Sequence, residues 1–281
     1  MTTAFVLSGG GSLGSIQVGM LQALIARGIT PDVICGTSVG ALNGAWLASG
    51  ATVENMHALA DLWRGLHRRD IFPFSPLTGM QAIIGRSDHL VSNRSLRRLV
   101  EDNITFDRLE DAPIPLHVVA TDVLSGRDVP MAHGPAVDAV LASAAIPGLL
   151  PTVIIDERPL MDGGVVNNTP IAAAVDLGAD TIWVLTTGAA CELREPPRTV
   201  LGMALQGITL AINDRLAVDV RQYENKVDLR VAPPLCPMRV NPADFGHGAE
   251  LIERAEESTS EWLDAGVPGR GQAALLEPHH H

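Results

Sequence analysis

Ser38 stands between glycines in Gly36-Thr37-Ser38-Val39-Gly40, after an apolar run and ahead of an Ala/Leu-rich one. A serine in a Gly-x-Ser-x-Gly turn between strand and helix occupies a sharp, strained bend that pushes its hydroxyl outward, and glycine at Gly36 and Gly40 avoids the clash a Cβ would make. A second glycine-rich turn, Gly9-Gly10-Gly11-Ser12-Leu13-Gly14, also follows a strand-like run and opens a helix-like one. Backbone N–H groups gather at such a helix start, where partial positive charge collects and an oxyanion or phosphate can rest. One turn offers an attacking group and the other an anion hole, the equipment of a serine hydrolase.

The attacking hydroxyl needs a base, and an elbow serine commonly finds it in a late histidine. Apart from the last three residues, the histidines are His57, His67, His89, His117, His133 and His247, and none follows a clear C-terminal strand. His247, between Gly246 and Gly248, is the best placed, although a solvated loop histidine is its plainer reading. Asp162-Gly163-Gly164 is better positioned: an aspartate at a strand end, followed by two residues that permit any backbone angle, can be aimed into a cleft. Alone, such a turn is commonplace.

The elements that must position these groups alternate in an α/β manner. Ala4 to Leu7 reads as a strand, Ser12 to Arg27 as a helix stopped at Gly28, Val33 to Gly36 as a strand and the stretch to Ala48 as a helix. Such β-α-β-α alternation predicts a mainly parallel sheet. Val53 to Arg68 and Arg94 to Asn103 read as helices, and Leu116 to Asp122 with Asp128 to Met131 as a hairpin. Val137 to Ala145 reads as a helix, and Thr152 to Ile155 and Pro159 to Met161 as two strands, the second ending at Asp162. Thr169 to Leu177, Val200 to Arg221 and Gly248 to Ala265 follow as helices, with Thr181 to Leu185 and Val227 to Val231 as strands. Asp70 to Asp88 lacks periodicity yet carries Phe72, Phe74, Leu77, Met80, Ile83 and Ile84. It reads either as a flap or wall of an acyl pocket or as a loop tucked onto the core.

With 281 residues, 46% hydrophobic and 19% charged, the chain has the material for one large core and lacks a disorder signature. Residues 1–276 read as a single domain and 277–281 as the remnant of a purification tag, whose histidines are not ligands. A net charge of −12 argues against nucleic acid and against standing attachment to anionic lipid, while leaving transient contact with a membrane or micelle surface open. Cys35, Cys191 and Cys236 show neither metal-ligand nor redox spacing and imply no disulfide framework. Without a signal segment or a run long enough to span a bilayer, cytoplasmic residence is the expectation.

In order and spacing, the turns Gly9 to Gly14, Gly36 to Gly40 and Asp162 to Gly164 resemble the three signatures of the patatin-like phospholipases. Thr121-Asp122 with Ser125-Gly126, Ala144-Ala145-Ile146-Pro147-Gly148 and Val165-Val166-Asn167-Asn168-Thr169-Pro170 also look like that family, so the likeness covers roughly the first 190 residues. It implies a three-layer α/β/α fold distantly similar to the α/β-hydrolases, with a serine–aspartate dyad in place of a triad. By this resemblance Ser38 attacks an ester carbonyl and Asp162 acts as base. The N–H groups of Gly9, Gly10 and Gly11 form the oxyanion hole; Gly14, Gly36, Gly40, Gly163 and Gly164 support the turns. Neither metal nor organic cofactor is implied, and the substrate is a fatty acyl ester or lipid. Many members carry a basic residue before the final glycine of the first loop, where this chain has Leu13, which shifts the expectation from phosphate head groups toward neutral esters.

Gly9, Gly11 and Gly14 also satisfy Gly-x-Gly-x-x-Gly after a strand, the context of a dinucleotide site. That rival requires an acidic residue ending the second strand, and this strand ends in Cys35-Gly36-Thr37-Ser38. A catalytically silent member that binds lipid or protein is the remaining alternative.

Overall fold

The computed structural model describes residues 1–72, 88–188, 196, 198, 200–236, 240–267 and 276. Its centre is an eight-stranded sheet. The strands are β1 (Thr3–Leu7), β2 (Val33–Thr37), β3 (Leu116–Asp122), β4 (Asp128–Met131), β5 (Val153–Ile155), β6 (Arg158–Asp162), β7 (Thr181–Leu185) and β8 (Asp228–Val231). They lie in the order β5-β6-β3-β2-β1-β7-β8, with β4 also pairing β3. From β3 through β8 every neighbour along that path is parallel, whereas β4, β5 and β6 attach antiparallel at the β3 side. The expected mainly parallel sheet is therefore present, with an antiparallel margin that carries Asp162.

Alternation along the central strands sends side chains to both faces. Ala4, Val6, Val33, Cys35, Ile182 and Val184 enter one apolar cluster, while Phe5, Leu7, Ile34, Trp183 and Leu185 enter the other. The first cluster is covered by α7 (Ile171–Asp176) and α8 (Val200–Tyr223), through residues such as Ile171 and Val220. The second is covered by α1 (Gly14–Ala26), α2 (Val39–Ala48), α3 (Val53–Gly65), α5 (Arg94–Glu101), α6 (Ala136–Ser143) and α9 (Gly248–Asp264). Between α3 and α5 runs the one-turn helix α4 (Arg68–Ile71). Helices on both faces of the sheet make the three-layer α/β/α arrangement.

Helix boundaries are where the chain departs from periodicity. The expected helix from Val53 to Arg68 ends at Gly65, because Leu66 and His67 turn extended (ψ 134° and 157°) before α4 begins. Ahead of α1, residues Gly11–Leu13 form a 3-10 turn that lets the glycine loop curl before the helix proper. Of the apolar segment between Asp70 and Asp88, Ile71 and Phe72 are placed; Phe74, Leu77, Met80, Ile83 and Ile84 lie outside the described residues. Cys236 takes part in a disulfide, a pairing that the scattered cysteine spacing did not predict. Cys35 is free, and burial pushes its thiol up to about 12, which leaves it an inert packing group. Among the described residues no helix is long and apolar enough to cross a membrane.

α1 is buried along nearly its whole length and crosses α9 at Gly19, whose added Cβ would meet the Ile252 carbonyl, the Glu256 nitrogen at 2.7 Å and the Ala255 Cβ at 2.9 Å. Backbone lies against backbone there, so a methyl group has no rotamer by which to escape. Gly19→Ala is expected to cost about 2–3 kcal/mol, read as a lower urea midpoint; a midpoint unchanged from the parent protein would contradict this account of the α1–α9 crossing.

Candidate active site

β2 delivers Ser38 to the start of α2, where its backbone adopts φ 55° and ψ −123°. A left-handed φ is unusual for a residue with a side chain, and it is held here by the surroundings. The Ser38 amide donates to Ser143 Oγ at 2.8 Å, and Ser143 Oγ donates in turn to the Val119 carbonyl on β3. Two residues on, Gly40 lies against β1, and a Cβ there would collide with the Leu7 carbonyl. Gly36 lies equally close to the backbone of Gly40 and Ala41, so the bend closes only with glycine at both flanks.

β6 brings Asp162 to the same point from the other side. Its Oδ2 accepts the Ser38 hydroxyl at 2.6 Å, and its Oδ1 accepts the Gly164 amide at 2.7 Å. Register places Asp162 opposite Ala120 on β3, and its amide donates to the Ala145 carbonyl at 2.9 Å. Gly163 packs so closely on β3 that a Cβ would strike the Val119 carbonyl. Ser38 and Asp162 are 8% and 7% exposed, so the carboxylate has lost nearly all its water. That desolvation raises its pKa from 3.8 to about 6, against the lowering effect of the bonds from Ser38 and Gly164.

The glycine loop faces this pair. Gly9 would be crowded by a Cβ against Ser38 Cβ at 3.1 Å and against Asn168, and Gly11 lines the same cleft as Ser38. The Gly9 amide, however, donates to the Asn168 carbonyl at 3.0 Å. It is therefore unavailable to an oxyanion, against the expectation that included Gly9. Among the described residues the amides of Gly10 and Gly11 have no acceptor. The Gly9 carbonyl is itself held, by Asn168 Nδ2 and by Thr187 Oγ1.

Behind the loop runs a buried polar chain that the sequence did not announce. Trp63 Nε1 donates to Asn43 Oδ1 at 2.9 Å; Asn43 Nδ2 donates to Gln17 Oε1 at 2.9 Å and to the Gly14 carbonyl at 3.0 Å. Gln17 Nε2 then reaches the carbonyls of Ser8 and Leu185 at 2.8 Å and 3.0 Å. Each member is satisfied, and the chain fixes the loop's entry and its exit at Gly14. Its signal was a polar residue within each of two apolar helices, Gln17 in α1 and Asn43 in α2, and each side chain is at most 1% exposed. Leu13, the position noted for its missing charge, is buried in the core.

From Ser38 a cleft, partly open to solvent, extends between α2, α3 and α5. Its walls include Leu42, Leu59, Leu62, Trp63, Leu96 and Phe245, an overwhelmingly apolar surface. Ile71 and Phe72 join it and also pack with the core cluster, so the placed apolar residues of the unpatterned segment fit both expectations. His247 contacts Glu250 at 3.3 Å and Asp244 at 3.6 Å. No described imidazole bonds Ser38 or Asp162. Among the described residues no group of three or more His, Cys, Asp or Glu could hold a metal ion.

Comparison with known proteins agrees with the fold and the motifs. The Patatin-like phospholipase family profile matches residues 5–175. An uncharacterized NTE family protein of Mycobacterium bovis is 34% identical over 187 residues, 66% of this chain and 49% of that protein. The lysophospholipase nte1 of Aspergillus terreus is 30% identical over 286 aligned positions, 94% of this chain and 18% of its own length. The chain thus spans about half, or much less, of these curated relatives. Among solved structures, VipD from Legionella pneumophila aligns with TM-score 0.50 at 16% identity, over 94% of this chain and 67% of that one, a likeness of fold.

The raised pKa of Asp162 has a stability consequence. Below 3.8 the carboxyl is neutral whether the chain is folded or not, so burial carries no charge penalty; the penalty grows as pH rises and is complete above about 6. Asp162→Asn removes it while an amide can still accept from Gly164 and donate to Ser38. The variant is expected to be more stable than the parent by up to about 3 kcal/mol at pH 8, with the gain vanishing toward pH 4, in urea titrations at both pH values. Equal stability at pH 8 would contradict the desolvation account. Ser38, bonded to Asp162, and Gly11 of the glycine loop line one apolar cleft at the start of α2, and the chain belongs to the patatin-like phospholipase family.

Proposed function

We propose that the protein is a serine acyl-ester hydrolase, a lipid acyl hydrolase or carboxylesterase working through a Ser38–Asp162 dyad. The observation that carries this reading is the 2.6 Å bond from Ser38 Oγ to a desolvated carboxylate at the head of an apolar cleft. A carboxylate of ordinary pKa is a poor base, and one raised to about 6 is closer to the optimum for proton transfer near neutrality.

In the proposed sequence Asp162 Oδ2 takes the Ser38 hydroxyl proton as Oγ bonds to the ester carbonyl carbon. Negative charge moves to the carbonyl oxygen, toward the Gly10 and Gly11 amides, where loss of one donor of this kind typically costs about 10² to 10³ in rate. The intermediate then collapses, the C–O bond to the alcohol breaks, and the departing oxygen collects the proton from Asp162. Water repeats the cycle on the acyl-enzyme: Asp162 accepts its proton, the hydroxide adds, and Ser38 leaves with that proton as the fatty acid is released. No step calls on a metal or organic cofactor.

The relatives lend support, since one is a lysophospholipase, and so does the lack of charged groups among the described lining residues of the cleft, which suits an acyl chain better than a polar ligand. A catalytically silent lipid-binding role is the competing reading. Treatment with a fluorophosphonate probe separates the two by intact mass: a single adduct is expected on the parent protein and none on Ser38→Ala. No adduct on folded parent protein would favour the binding role.

Active protein should also show a rising limb in kcat/KM near pH 6, because only ionised Asp162 can accept the proton. Asp162→Asn should abolish most turnover while remaining folded. Near-normal turnover in that variant would point to another base.

A further inference from the structure

Resting on the acyl-ester reading, we infer that the cleft measures the acyl chain, accepting roughly ten carbons, and that Trp46 together with Ile104 forms its far wall. Ser38, Leu42 and Trp46 all line the cleft and succeed one another at four-residue spacing along α2. From the first to the third is roughly 12 Å of helix axis. An extended chain covers about 1.2 Å per backbone bond, so this length holds about ten carbon–carbon bonds. Leu42, Leu59, Leu62, Leu96 and Val100 also line the cleft, and none of its described lining residues is charged.

The far end is built to resist displacement. Trp46 Nε1 donates to the Asn55 carbonyl at 3.1 Å, and Asn55 Nδ2 returns bonds to the carbonyls of Trp46 and Gly50 at 3.2 Å and 2.6 Å. The indole is thereby tied to the start of α3. Ile104 arrives at the same end because Thr105 donates its amide to Ser49 Oγ at 3.2 Å and Ile114 donates to the Ala48 carbonyl at 3.2 Å, laying the segment after α5 across the end of α2. Trp46 and Ile104 both pack against the main core cluster. A methylene that stays short of this wall gains contact, about three- to fourfold in affinity. One beyond it must displace a hydrogen-bonded ring or return to water.

Two measurements test the gauge, the first of them independently of turnover. In Ser38→Ala protein, calorimetric affinities for fatty acids of 6 to 16 carbons should rise about three- to fourfold per methylene and stop rising near ten carbons. Adding Trp46→Ala or, as a milder change should that variant fold poorly, Ile104→Ala should move the break outward by roughly two carbons or more. With Ser38 intact, the ratio of kcat/KM for 12-carbon over 8-carbon nitrophenyl esters should rise about tenfold in the same variants. A binding break that moves as expected, while protein with Ser38 intact hydrolyses none of the esters, supports the gauge and removes the hydrolase reading. Affinity without a break, no chain-length-dependent binding, or a break and ester profile unmoved by both substitutions overturns the gauge, whatever the turnover.

Discussion

A carboxylate buried beside a serine is the constraint around which the rest of this structure is organised. Asp162 is nearly sealed from water and keeps two donors, the Ser38 hydroxyl and the Gly164 amide. Burial opposes its charge and the two donors partly restore it, which leaves the group between an ordinary acid and a permanently neutral one. To hold that balance the fold brings together a parallel strand, β2, and an antiparallel one, β6, on either side of β3. The antiparallel margin of the sheet is therefore the part that presents the carboxylate to the elbow.

Around the pair, backbone is held by side chains that do no chemistry themselves. Ser143 ties the elbow amide to β3, and Thr37 Oγ1 donates to the Asn167 carbonyl at 3.0 Å. Asn168 accepts the Gly9 amide and binds the Gly9 carbonyl, so the segment after Asp162 also fixes the glycine loop. Three turns separate in sequence thus share one set of bonds. A strained φ at Ser38 persists because the elements on both sides of it cannot relax independently.

Much of this was legible in the chain, and the reasons differ by element. The two glycine turns and Asp162-Gly163-Gly164 announce themselves because each requires glycine where backbones touch, and glycine is easily read. The strands from Val33 and Thr181 were legible because both faces are buried and the runs are continuously apolar. Gln17, Asn43, Trp63 and Ser143 were not singled out, since each acts through partners far away in sequence and nothing local marks a buried hydrogen bond. The occupation of the Gly9 amide by Asn168 was invisible for the same reason. The cleft was hardest, being assembled from α2, α3, α4, α5 and Phe245, each of which alone reads as an amphipathic or core segment.

Trp63 belongs to two systems at once, since its ring lines the cleft and stacks on Phe245 at 6.3 Å while its N–H begins the polar chain through Asn43 and Gln17 to the glycine loop. This divides the cleft for anyone who would redesign it. Leu62 carries no such hydrogen bond and can be exchanged for volume alone. Resizing at Trp63 without an N–H in the same place would strand Asn43 Oδ1 and unfasten the loop's support, so a change meant for the cleft would be felt at the glycine loop.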